Sequence, residues 1–87
     1  MQIIFDGLHT INSNTFGINF SAKVDGQGVI CTVSTEALQD VDPSNAKKTA
    51  EQQFIANRSY FETIATKKIL AEGSSPVIKI TSVDLSH

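Results

Sequence analysis

Between Phe16 and Val24, the residues Phe16, Ile18, Phe20, Ala22 and Val24 alternate with Gly17, Asn19, Ser21 and Lys23. A period of two sends every second side chain to the same side of an extended backbone, so nine residues in this pattern predict a half-buried β-strand. Asp25-Gly26 follows, two residues that tolerate positive φ in a tight turn, and Val29, Cys31 and Val33 alternate on the return. The segment therefore reads as a β-hairpin. A short run over Gln2–Phe5, rich in Ile and Phe, predicts another strand, separated from the hairpin by a polar loop around Asn12-Ser13-Asn14.

The pattern changes at Ser34-Thr35-Glu36. Ser34 can cap a short helix, Glu36 suits its first turn, and Ala37, Leu38 and Val41 give it a small apolar face. Asp42-Pro43 then predicts a second helix, with Asp42 as N-cap and Pro43 at the first helical position. No Gly or Pro interrupts Ser44 to Glu72, and Gly73 supplies an exit, so one long helix is expected there. At ~100° per residue its apolar face holds Ala46, Ala50, Phe54, Asn57, Phe61, Ile64 and Ala65, with Tyr60 at the border. Lys48, Gln52, Ser59, Thr63 and Thr66 face solvent, while Ile55 and Leu70 lie off the stripe, against a second element or partner or singly exposed. After Gly73-Ser74-Ser75-Pro76, Val77–Val83 reads as a last strand with Ile78 and Ile80 inward. The expected fold class is α+β: an antiparallel sheet of about four strands, in the order β-β-β-α-α-β, covered on one face by one long helix.

Composition narrows the functional classes. Eighty-seven residues make one domain, and a chain of this size can build a modest core without disulfides or a structural metal. A single cysteine, Cys31, rules out an intramolecular disulfide and fits a reducing cytoplasm. The longest apolar runs, Ile3-Ile4-Phe5 and Val29-Ile30-Cys31, fall far short of the ~20 residues of a membrane span. Nor does the N-terminal segment carry the charged start and cleavage pattern of a secretory leader, so a cytoplasmic location is expected. A net charge of −2 weighs against a dedicated nucleic-acid binder. Five of the seven basic residues (Lys47, Lys48, Arg58, Lys67 and Lys68) do fall on the expected long helix, but they scatter around its cylinder and form no stripe.

Two stretches carry a resemblance. Gly26-Gln27-Gly28-Val29-Ile30-Cys31-Thr32-Val33-Ser34-Thr35-Glu36-Ala37-Leu38 resembles the glycine turn, Cys-centred strand and Ser-x-Glu-Ala-Leu helix start of domain-of-unknown-function family 1488, a group of short bacterial proteins. Phe54-Ile55-Ala56-Asn57-Arg58-Ser59-Tyr60-Phe61-Glu62-Thr63-Ile64-Ala65 is similar to the helix of the same family, with its Phe, Arg, apolar-Glu pair and Ala. From the start of the first to the end of the second they span about half of the chain. The resemblance implies a small bacterial protein; some members are encoded near shikimate dehydrogenase, and a regulatory role in aromatic biosynthesis has been suggested for the group. It assigns no chemistry to any residue here.

Few side chains form a reactive constellation. Cys31 alternates with Val29 and Val33 on the apolar side of its strand, where a thiol packs as a small hydrophobe; a nearby cation would be needed to make it a nucleophile. His9, near Asp6, is half of a conceivable acid–base pair, and His87 is terminal; neither has a second ligand at metal-binding spacing. No nucleophile elbow or phosphate-binding glycine motif occurs. Arg58 is the residue best suited to a site, because its guanidinium lies between Phe54 and Phe61 at the edge of the apolar stripe. There it can hold a carboxylate or phosphate, with Glu62 and Asn57 beside it. The structural reading of Arg58 is an i,i+4 ion pair with Glu62, a spacing that Lys47–Glu51 repeats.

These observations lead to a non-enzymatic accessory or interaction module, without cofactor or metal, that binds a protein or small ligand, with a homodimer or a protein partner as the expected assembly. Two other readings remain. A small-anion-binding protein would use Arg58, Glu62 and Asn57. A transcription-linked regulator associated with the shikimate pathway would bind DNA with an affinity that falls steeply with salt.

Overall fold

The computed structural model describes residues 2–12, 17–41, 49–72 and 75–85. Strands β1 (Ile3–Ile11), β2 (Ile18–Val24) and β3 (Gln27–Val33) come first, then helices α1 (Thr35–Val41), α2 (Ala50–Ala56) and α3 (Arg58–Glu72), then β4 (Val77–Ile80) and a 3-10 turn over Ser82–Asp84. The strands form one sheet in the order β1-β2-β3-β4. It is an α+β fold with a mostly antiparallel sheet.

The hairpin forms as its sequence requires. Asp25 (φ 51°) and Gly26 (φ 86°) both take positive φ, the backbone twist that matches a two-residue turn to its flanking strands. Ile18, Phe20, Ala22 and Val24 on β2, and Val29, Cys31 and Val33 on β3, are buried on one side of the sheet. Phe16, where the alternation begins, lies outside the described residues, as does the centre of the expected Asn12–Asn14 loop.

β1 is longer than the Gln2–Phe5 run because a bulge conceals its second half. Phe5 pairs with Ala22 and His9 with Phe20, so Asp6, Gly7 and Leu8 together stand opposite Ser21. Two surplus residues, an even number, keep Phe5 and His9 on the same face, which a surplus of one would have reversed. Gly7 sits at φ 83° within the bulge, a conformation that costs glycine little.

The helical region departs from a single long helix. Asp42, Pro43, Ala46, Lys47 and Lys48 lie outside the described residues. A new helix is capped at Thr49, whose Oγ1 accepts from Gln52 N–H (3.2 Å) while Gln52 Oε1 accepts from Thr49 N–H (3.2 Å). After the seven residues Ala50–Ala56, Asn57 interrupts it. Its N–H donates to Phe54 O (3.1 Å) and its Nδ2 to Gln53 O (3.0 Å), while its own carbonyl accepts from Tyr60 and Phe61. An Asn that satisfies the backbone from both sides ends one helix and opens the next. Ser34, as expected, caps α1 through Ala37 N–H (3.1 Å).

The described helices cover one face of the sheet. Leu38, Phe54, Phe61, Ile64 and Ile69 pack onto Ile18, Phe20, Cys31, Val33, Ile78 and Ile80. Each such ring or branched side chain contributes about 1.5–3 kcal/mol on leaving water. Ile55 and Leu70 are exposed. The last strand corrects the antiparallel expectation: β4 runs parallel to β3, with Ile30 opposite Val77 and Val33 opposite Ile80. The helical crossover returns the chain to the end of the sheet where β3 began, and only a parallel strand can start there. β4 also stops at Ile80 rather than Val83, because Thr81 to Asp84 close into the 3-10 turn.

Candidate functional site

The two outer strands end the sheet differently. On β4, Pro76 O accepts from Ile30 N–H and Ile80 O from Ser34 N–H, so these alternate residues face β3 and Val77 and Lys79 turn their backbone outward. Both outward carbonyls are taken: Val77 O accepts from Ser75 Oγ (3.0 Å) and Lys79 O from Lys68 Nζ (2.6 Å). Just beyond, Thr81 N–H donates to Asp84 Oδ2 (2.9 Å), which also accepts from Lys68 (3.0 Å). Burial alone would raise the Asp84 carboxyl, but Thr81 N–H and the Lys68 ammonium outweigh it and hold it below the ordinary range.

On β1, Gln2 O accepts from Asp25 N–H and Asn12 N–H donates to Gly17 O. The even-numbered residues flanking the bulge therefore face β2, and Ile3, Phe5, His9 and Ile11 turn their N–H and C=O groups away from the sheet. Among the described residues nothing covers these groups. Ile4, Leu8 and Ile11 are all more than half exposed along the same strand. Asp6 is fixed within the bulge, accepting from Ser21 Oγ (2.6 Å) and Leu8 N–H (2.9 Å). Those two bonds hold its carboxyl below the ordinary range, against slight desolvation and with help from Arg58 and Lys23.

Behind β1, on the helix side, four groups surround the Phe54 ring. Phe20 lies 5.1 Å away, His9 5.4 Å and Phe61 5.9 Å between centroids, and the Arg58 guanidinium carbon is 5.5 Å from the ring centre. Each cationic or basic group already holds a carboxylate. His9 Nε2 is 3.4 Å from Glu51 Oε2, and Arg58 Nε donates to Glu62 Oε2 at 3.2 Å. The structure thus brings Arg58 and Glu62 together, while Asn57 spends its side chain on the helix junction. His9 and Asp6 do not pair: His9 turns to the helices and Asp6 to Ser21 on the opposite face. Sequence reasoning missed Glu51 as the His9 partner, and it missed the open strand edge; Asp6-Gly7 between two β-forming runs was the one visible sign of a bulged, longer strand.

Little chemistry is assembled here. Cys31 is fully buried, and desolvation raises its thiol to about 11, so it stays protonated at neutral pH. His87 lies outside the described residues. Among the described residues no three His, Cys, Asp or Glu side chains converge on a metal position. Two hollows on the sheet, one beside Leu8, Thr10, Ser21 and Ile30 and one beside Thr32, Ser34 and Thr81, hold about 220 Å³ each, less than the ~300–1,000 Å³ of small-molecule sites. No helix among the described residues is long and apolar enough to cross a membrane.

Residues 3–80 match the family model described as "Protein of unknown function (DUF1488)". The chain belongs to the DUF1488 family. A crystal structure of a protein of unknown function from the DUF1488 family of Shewanella loihica PV-4, at 1.60 Å resolution, superposes with a TM-score of 0.77 at 24 % identity. The match covers 92 % of this chain and 94 % of that one, so the fold of this DUF1488 chain has a crystallographic counterpart. No curated protein matches the chain.

Proposed function

We propose that this DUF1488 chain is a non-enzymatic accessory module of the bacterial cytoplasm that binds another polypeptide along β1. The observation that carries the reading is the open edge: outward backbone groups at Ile3, Phe5, His9 and Ile11 stand beside exposed Ile4, Leu8 and Ile11, while the opposite edge has its outward carbonyls capped. Main-chain groups at a free edge supply affinity for an extended strand, and flanking apolar side chains supply its preference. The placement of Glu62 on Arg58 Nε and of Glu51 3.4 Å from His9 supports the same reading, because an anion at either would meet the repulsion of a neighbouring carboxylate. A lone buried thiol is at home in a reducing compartment.

The test compares two kinds of probe on the isotope-labelled chain: extended peptides of alternating apolar and polar residues, and the anions phosphate and citrate. Peptides are expected to move the amide signals of β1, and Ile11→Pro to abolish that response. Anion-induced shifts at Arg58 and His9 with no peptide response would replace this reading with anion binding through Arg58, Glu62 and Asn57.

A further inference from the structure

We infer that the polypeptide bound along β1 is a second copy of this chain, the two β1 strands joining antiparallel about a two-fold axis at Gly7 to make one continuous sheet of eight strands. The inference rests on the proposed polypeptide binding and names its partner. Its first support is register. A two-fold at Gly7 sets Ile3 opposite Ile11 of the second copy and Phe5 opposite His9. All four belong to the outward-facing set, so each outward N–H meets an outward C=O in a closed antiparallel pair. A slip of one residue would set outward groups against groups already bonded to β2.

The bulge permits this register. Phe5 and His9 stand opposite Ala22 and Phe20, so the bulge advances the strand by only the length of two residues. A second copy carries the same surplus, and the arms on either side of the axis stay in step. At the axis Gly7 brings no side chain, and no other atom of its own chain lies within 4 Å of its Cβ direction. Side chains pair suitably: Ile3 meets Ile11, and Phe5 meets His9, on the helix side, while Ile4 meets Thr10 on the other face.

The second support is closure. An isologous pairing uses the open edge of both copies and leaves only the two β4 edges, where Ser75, Lys68 and Asp84 already occupy outward backbone groups. Assembly therefore stops at two instead of continuing as a fibre.

Sedimentation velocity from micromolar to millimolar concentration tests this, with three variants. The wild-type chain is expected to shift to twice the monomer mass. Ile11→Pro, which removes an outward donor without breaking a β1–β2 bond, is expected to stay monomeric with an unchanged fold by circular dichroism. Ile11→Lys provides the same test should the proline disturb folding, and Ile30→Lys, on the uncovered sheet face, is expected to dimerise normally. A dimer that survives both Ile11 variants and is lost in Ile30→Lys would overturn the edge pairing. A wild-type chain that remains monomeric throughout would overturn the second copy as partner; peptide-induced shifts on β1 would then still uphold polypeptide binding, and their absence would remove both.

Discussion

At β4 a short strand has its two outward carbonyls taken by Ser75 before it and Lys68 on α3, and one residue further on Asp84 accepts from Thr81 N–H. At β1 a strand of nine residues has alternate backbone groups that no described residue caps, and carries Ile4, Leu8 and Ile11 exposed beside them. Both edges face the same hazard, because an uncovered strand templates another strand. The cost of capping is small at β4, where α3 and the 3-10 turn already lie close. Among the described residues the helices supply His9 with Glu51 but place no such cap on the outward backbone of β1, which is why the proposed pairing is assigned to that edge.

The contrast can be broken from either side. The largest effect is expected from Phe54→Ala, which removes the fully buried ring that joins Phe20, His9, Phe61 and Arg58 behind β1. A loss of about 3–5 kcal/mol is expected in chemical denaturation, with β1 amides exchanging faster relative to β4. Lys68→Ala comes next: it uncovers Lys79 O and unpairs Asp84, for about 1 kcal/mol of stability. More tellingly, opening the second edge is expected to produce species heavier than a dimer in sedimentation.

Acid should act on β4 in the same direction. The Asp84 carboxyl lies below its ordinary value in the folded chain, so its stabilising contribution is complete above about pH 4, the unfolded value, and disappears as pH falls through the lower folded value. Acid titration of the melting temperature is expected to be shallower in Asp84→Asn than in the wild type over that range. The smallest effect is expected from Arg58→Ala. Its ion pair with Glu62 and its place over Phe54 are partly exposed, and together they are worth about 1 kcal/mol or less, measurable as a shift in the denaturation midpoint with β1 association unchanged.

What could be read in the residues follows the range of the interactions concerned. The β2–β3 hairpin was legible because alternation and the Asp25-Gly26 turn are local, and the Arg58–Glu62 pair because i,i+4 neighbours meet on any helix. Half of β1 was hidden because a bulge interrupts a period-two pattern while preserving its faces. The Thr49-x-x-Gln52 capping box was present in the sequence, yet the absence of Gly and Pro drew the helix through it and through Asn57. The direction of β4, the His9–Glu51 contact and the caps from Lys68 and Asp84 depend on elements distant in the chain, and no local pattern encodes them. Openness at β1 is likewise a property of what does not reach it in the folded chain.

Amide hydrogen exchange measured as a function of protein concentration tests the central claim most directly. With β1 as the pairing edge, the outward amides of Ile3, Phe5, His9 and Ile11 exchange rapidly in dilute solution and become protected as concentration rises, while those of Val77 and Lys79 keep their rates. Unchanged exchange along β1 at every concentration, or protection that develops on β4 instead, would contradict it.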